Sequence, residues 1–94
     1  MDISVTNDEE RQQFHAEIDG HQAHLDYVPL PDETLNLIHT EVDPAHRGRG
    51  VGEVLARFAL DAARRGGFQV IPTCPFENRF VEHHPEYRDV VASR

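Results

Sequence analysis

The apolar period changes once along this chain, and that change limits the fold more than any other feature. Up to residue 42 the pattern alternates, and from residue 51 it recurs at helical spacing. In "QFHAEID", Phe14, Ala16 and Ile18 alternate with His15, Glu17 and Asp19; in "QAHLDYVPL", Ala23, Leu25 and Tyr27 share one side. Strict alternation marks a strand with one buried face. Asp19-Gly20 between the two runs predicts a tight hairpin turn. "ISVTND" gives an earlier strand carrying Ile3 and Val5, and "TLNLIHTEV" a later one stopped by Asp43-Pro44. On that later strand a period of two places Leu35, Leu37, His39 and Glu41 on one face, with Thr34, Asn36, Ile38, Thr40 and Val42 on the other.

Beyond the change, Val51, Val54, Leu55, Phe58 and Ala62 define the apolar side of a helix, with Glu53, Arg57, Asp61, Arg64 and Arg65 opposite. Glu53–Arg57 and Asp61–Arg65 are spaced four apart with the acid first, the favourable polarity. Gly66-Gly67 predicts the helix end. "FQVIPTC" reads as a short apolar strand, and "PFENRFVEHH" as a second helix with Pro75 at its first position. Pro85 disfavours helix at His84 and opens a last turn. The order is β-β-β-β-α-β-α. Short links make the first four strands antiparallel, and the strand–helix–strand over residues 34–74 is expected to be a parallel, right-handed crossover. The expected class is α/β (α+β): a mixed, mostly antiparallel sheet of about five strands with two main helices, in one domain over residues 1–94.

Charge and cysteine usage narrow the function. Acidic residues outnumber basic ones 17 to 9, a formal charge of -8, which argues against nucleic-acid partners. The basic groups gather locally, at Arg47, Arg49, Arg57, Arg64 and Arg65. No apolar run is long enough to cross a membrane. Cys74 has no second cysteine to pair with, and no secretory signal is seen, so a cytoplasmic protein is expected. No metal is expected either. There is no H-E-x-x-H, His21 and His24 point to opposite faces of a strand, and His83 and His84 are adjacent.

Between the last alternating strand and the first helix lies Arg47-Gly48-Arg49-Gly50-Val51-Gly52. It is not a P-loop, because no Lys-Ser/Thr follows, and Glu53 spoils a dinucleotide fingerprint. It is a full match to R/Q-x-x-G-x-G/A. This pattern resembles the acetyl-CoA-binding motif of the GCN5-related N-acetyltransferases. The stretch from Thr34 through "CPF" to "HPEY" is similar to a very small subfamily of that superfamily. The resemblance implies that successive backbone N–H groups cradle the coenzyme A pyrophosphate at a helix N-terminus. The first N–H groups of a helix lack internal partners and favour anions, so the physics agrees.

The same resemblance implies acetyl-CoA as cosubstrate and transfer of its acetyl group to a primary amine. It implies a cofactor site at Val42, Arg47, Gly48, Arg49, Gly50, Val51 and Gly52, with Asn78 a candidate for the pantetheine arm. It also implies that the fourth and fifth strands splay apart. Candidate catalytic groups are Glu41 as a general base, His39 beside it for proton transfer, and Cys74. The thiol is expected to cap the second helix, where the dipole lowers its pKa, and could accept the acetyl group in a ping-pong route. The family often has a tyrosine acid where Phe80 stands here, and Phe80 has no proton to give. A non-catalytic coenzyme A-binding module therefore remains the alternative. The acceptor, small molecule or protein lysine, is not named by the sequence, although the charge suits a cation. A monomer or homodimer is expected, the latter through an exposed sheet edge.

Overall fold

The structure, a computed structural model, describes residues 3–92. Strands β1 (Ser4–Asp8), β2 (Gln13–Ile18), β3 (His21–Leu30), β4 (Thr34–Val42) and β5 (Gln69–Pro72) form one sheet in chain order. The first four pair antiparallel, and β4 pairs β5 in parallel, as the short links and the long crossover require. The β2–β3 hairpin turns through Asp19 at φ 49° and Gly20 at φ 80°. Two successive left-handed residues give the turn whose twist matches paired strands.

Helix α1 (Val51–Gly66) crosses one face of the sheet, and α2 (Pro75–His83) packs beside it over β4 and β5. The core between these layers holds Phe14, Ile18, Leu25, Leu37, Leu55, Leu60 and Val70, all fully buried. The buried stripe of α1 is Val51, Leu55, Ala56, Ala59, Leu60 and Ala63, so it lies slightly round from the expected one. Val54, Phe58 and Ala62 flank it, half-buried. Alanine lets the helix axis come close to the sheet, so it takes the centre of the stripe from bulkier neighbours. α1 ends as expected, with Gly67 left-handed at φ 76° and its N–H donating to Ala63 and Arg64 carbonyls.

One expectation about β4 is corrected. Tyr27 pairs with Leu37, but the preceding Asp26 pairs with His39, so Ile38 has no partner on β3. This is a β-bulge, and it reverses the alternation beyond it. Leu37 is buried under the helices. Thr40, not His39, is the next residue to face them, and His39 and Glu41 stand on the opposite face of the sheet. That opposite face is polar, with hydrogen bonds His15–Gln22, His24–Asp26 and His39–Glu41 along it.

The chain after α2 returns to the sheet. Val70 N–H donates to the Val90 carbonyl (2.8 Å) and Ala92 N–H to the Val70 carbonyl (2.9 Å). Arg64 clasps this segment to α1, with Nε and Nη2 on the Asp89 carboxylate at 3.1 and 2.7 Å, and Nη2 on the Glu86 carbonyl at 2.7 Å. Its guanidinium also lies 5.1 Å from the centre of the Tyr87 ring. A planar fork satisfied at three points orders a chain end better than a single ion pair. Arg64→Ala is therefore expected to speed amide exchange at Ala92 and to lower the thermal midpoint. Unchanged exchange at Ala92 would show that the clasp is incidental.

Candidate functional site

Strand pairing between β4 and β5 stops at Leu37–Pro72, and the Cys74 N–H makes a last bond to the Leu37 carbonyl at 2.8 Å. From there β5 leaves the sheet and turns into α2, whose first residue is Pro75. The β5-side edge of β4 beyond Leu37 is left open, and a cleft of about 460 Å³ lies along it. Thr40, Glu41 and Val42 form its strand wall, Gly48, Gly50, Val51 and Gly52 its floor, and Phe76 its far side.

The floor is built by two left-handed glycines. Gly48 has φ 77° and Gly50, the N-cap of α1, has φ 82°; an added Cβ at either would meet nothing within 4 Å. Both glycines are therefore needed for backbone conformation rather than for space. No side chain caps α1. Among the described residues, the N–H groups of Gly48, Gly50, Val51 and Gly52 reach no acceptor in the turn, while that of Arg49 is taken by the His46 carbonyl at 3.3 Å. Gly52 differs from its neighbours, because a Cβ there would lie 2.7 Å from the tip of the Phe76 ring. Val51 is buried and anchors the turn to the core.

Asp43, Arg47 and Glu41 at the rim are paired. Asp43 caps the short 3-10 turn Pro44–His46, accepting from the Ala45 N–H at 2.9 Å and bonding His21 Nδ1 at 3.1 Å. These bonds, the backbone one foremost, hold its carboxyl below the usual range. Arg47 folds back on β4, with Nε donating to the Val42 carbonyl (3.2 Å) and Nη2 lying 3.5 Å from Glu41. Glu41 in turn meets His39 Nε2 at 3.3 Å. The structure thus brings Glu41, Val42 and Arg47 together at one end of the cleft, with His39 bonded to Glu41 from the outer face of the sheet and outside the lining. Arg49 stands exposed beside them, and Asn78 lies on the exposed side of α2, away from the cleft.

Two polar side chains are buried, which the sequence did not indicate; His46, just before Arg47, was expected only to line the turn. His46 is 5% exposed and forms part of the cleft wall, yet neither ring nitrogen has a hydrogen-bond partner. Glu77 is fully buried, on the side of α2 that faces the sheet. Its Oε2 accepts from the Thr40 hydroxyl at 3.4 Å, its Oε1 has no partner, and burial pushes its pKa up to about 7. Thr40 Oγ1 also lies 3.5 Å from Cys74 Sγ. Cys74, 5% exposed, is the N-cap of α2, as expected, but caps it without a side-chain hydrogen bond. The spacing Cys74-x-x-Glu77 is that of an N-cap and the third helical residue, where a glutamate is often found. That signal was available in the sequence.

Phe80 is buried and stacked on His84, with ring centres 4.1 Å apart. Tyr87 donates its hydroxyl to Asp61 at 2.9 Å, and burial raises its pKa. Tyr87 therefore serves the α1 contact and does not replace the tyrosine that Phe80 displaces. Among the described residues, no three His, Cys, Asp or Glu side chains are placed to hold a metal. A second depression, of about 320 Å³, is lined by Phe14, Tyr27, Leu35 and Phe68 and contains none of the glycine turn.

A family model described as GCN5-related N-acetyl-transferase matches residues 13–90. The NATD1 protein of Danio rerio is 35% identical over 95 residues, covering 93% of this chain and 86% of that protein. The NATD1 protein of Homo sapiens is 34% identical over 85 residues, covering 88% and 75%. A Staphylococcus aureus chain described as GCN5-like, solved by NMR in solution, superposes with a TM-score of 0.75 at 24% identity over 97% of this chain and 89% of that one. At that identity the last comparison speaks for the fold alone. The chain belongs to the GCN5-related N-acetyltransferase family, whose members use acetyl-CoA as cosubstrate.

Proposed function

We propose that this chain binds acetyl-CoA in the cleft beside β4 and passes its acetyl group to a primary amine. The observation that carries the reading is the glycine turn, where unpaired N–H groups at the start of a helix of 16 residues open into a cleft. Such a terminus suits a pyrophosphate, because the free N–H groups and the dipole both favour negative charge. Gly48, Gly50, Val51 and Gly52 supply these donors, Arg47 and Arg49 add charge-assisted bonds, and Val42 forms the adjoining wall.

In this reading the acetyl group goes first to Cys74. The thiol stands where β4 and β5 part, and among the described residues both tyrosine hydroxyls are engaged elsewhere, Tyr27 on Asn7 and Tyr87 on Asp61. The thiolate forms the Sγ–acyl bond, the C–S bond to coenzyme A breaks, and coenzyme A leaves as a thiol. An amine then attacks acetyl-Cys74, giving up its proton to Glu41 at the edge of the cleft, with His39 bonded behind it on the outer face, and the thiol is restored. A cytoplasmic setting suits this role, because a lone thiol stays reduced there.

The test is coenzyme A release with a panel of primary amines. Cys74→Ala is expected to cut turnover about 100-fold or more with acetyl-CoA affinity unchanged. Glu41→Gln is expected to slow it about tenfold or more and let acetyl-Cys74 accumulate. Full rates in both variants would refute these roles. Phe80 favours one other reading, a module that binds coenzyme A without catalysis; it predicts affinity with no coenzyme A release from the unaltered protein.

A further inference from the structure

We infer that Glu77 is a positioning residue for the Cys74 thiol. Through the Thr40 hydroxyl its carboxylate takes up the thiol proton as Cys74 accepts an acetyl group, and returns that proton to the departing coenzyme A. The inference rests on the thiol route proposed above and adds the group that would make the thiol reactive.

Three observations carry it. First, the hydrogen bonds have a direction. When Glu77 is ionised its Oε2 accepts the single Thr40 hydroxyl proton at 3.4 Å, which leaves the thiol as the donor across the 3.5 Å contact between Cys74 Sγ and Thr40 Oγ1. The chain runs Cys74 to Thr40 to Glu77. The 3.4 Å step is longer than an ordinary O–H···O bond, and proton-transfer contacts are commonly loose until substrate is bound.

Second, ordinary structural roles are not filled by this carboxylate. A glutamate three residues after an N-cap usually reaches back to the N-cap N–H. Here that N–H is taken by the Leu37 carbonyl at 2.8 Å, and Glu77 turns to Thr40 instead. Glu77 has no accessible surface, and its Oε1 has no partner. A buried carboxyl with an empty oxygen is costly, and an apolar side chain would fill the same place at lower cost.

Third, Thr40 belongs to the cleft wall, so the middle group of the relay borders the proposed acetyl-CoA site. The polar groups facing Glu77 are Thr40 from β4 and, through it, Cys74; no charged group contributes to its raised pKa, which comes from burial. A carboxyl held near neutrality is a far better match to a thiol than an exposed one.

The step balances without a further reactant. The thiol proton moves to Thr40 Oγ1 as the Thr40 proton moves to Glu77 Oε2. The Sγ–acyl bond forms, the acyl–S bond to coenzyme A breaks, and the departing coenzyme A sulfur takes its proton from the Thr40 hydroxyl at the cleft wall, which Glu77 then reprotonates.

The experiment follows Cys74 acetylation by acetyl-CoA, read as intact mass against time, from about pH 5.5 to about pH 9. The unaltered protein, Glu77→Gln, Glu77→Asp and Thr40→Val are compared, with acetyl-CoA affinity measured by calorimetry in each. The unaltered protein is expected to gain one acetyl group on Cys74 with an inflection near neutrality. Glu77→Gln is expected to be acetylated about tenfold or more slowly at neutral pH, with its inflection moved toward that of a free thiol near pH 8.5 and its affinity unchanged. Glu77→Asp should restore part of the rate. Thr40→Val should shift the profile as Glu77→Gln does, and it serves where the glutamate variant folds poorly. An unchanged rate and profile in both Glu77→Gln and Thr40→Val would overturn the relay while leaving the thiol route intact. Acetyl-CoA binding with no acetylation of Cys74 in the unaltered protein would overturn the thiol route, and the relay with it.

Discussion

Replacing Gly50 by valine is expected to weaken acetyl-CoA binding by at least about tenfold, the equivalent of 1.4 kcal/mol, while the sheet and helices keep their fold. Gly50 sits at φ 82° with open space around the missing Cβ. A side chain there would not collide; it would have to hold a left-handed backbone, which costs an L-residue roughly 1–2 kcal/mol, and more if β-branched. The turn escapes that cost by rotating, and rotation spreads the N–H groups that the pyrophosphate needs together. Gly52→Ala should also weaken binding, by a different cause. Its Cβ would press on the Phe76 ring at 2.7 Å, so Phe76 must swing along the cleft. The double variant Gly52→Ala/Phe76→Ala should recover much of the affinity, whereas Gly50→Val/Phe76→Ala should not. Calorimetry with coenzyme A and amide spectra of the same samples would check both. Undiminished affinity in Gly50→Val would remove the turn from the binding site.

The second large effect concerns stability. Glu77→Leu is expected to raise the thermal midpoint at pH 8 by roughly 10 °C or more, using the usual scaling for a domain of this size. Burial lifts the Glu77 pKa from 4.5 to about 7, so the folded state binds a proton more tightly than the unfolded chain does. The stabilisation tied to that proton is complete below pH 4.5 and is lost as pH rises through 7. The shift corresponds to a loss on the order of 3 kcal/mol. Asp43, Glu86 and Asp89 act the other way: their pKa values are lowered, chiefly by hydrogen bonds, and their contribution disappears as pH falls through those lowered values. The unaltered protein should therefore be most stable in mildly acidic solution and weaken toward pH 8. Glu77→Leu should lose that decline between pH 4.5 and about 7, together with the relay. Parallel midpoint-against-pH curves for the two proteins would refute the assignment of the buried charge. A gain in stability on removing a group that serves chemistry is a familiar exchange.

Local features were legible in the sequence because each is written in a few adjacent residues. Alternation around Phe14, Ala16 and Ile18 marked β2, Asp19-Gly20 marked the hairpin, Gly66-Gly67 stopped α1, and Pro75 opened α2. The parallel β4–β5 pair followed from the length of the crossover. The bulge at Ile38 was not legible. A bulge is a relation between two strands, and nothing in "TLNLIHTEV" marks which residue lacks a partner. Missing it put Thr40 on the wrong face and so hid its link to Cys74 and Glu77. The burial of Glu77 was not legible, because it depends on how α2 lies against β4. The burial of His46 was hidden for the same reason: its neighbours in space, His21 among them, are distant in the chain.

The bulge also sets what kinds of genetic change β4 can absorb. Residue 38 is half outside the pairing pattern and its side chain is exposed, so its identity is nearly free. Its presence is not. Deleting it would restore simple alternation and exchange the two faces of everything that follows, sending His39 and Glu41 inward and Thr40 out to water. Along this strand, spelling is tolerant and counting is not.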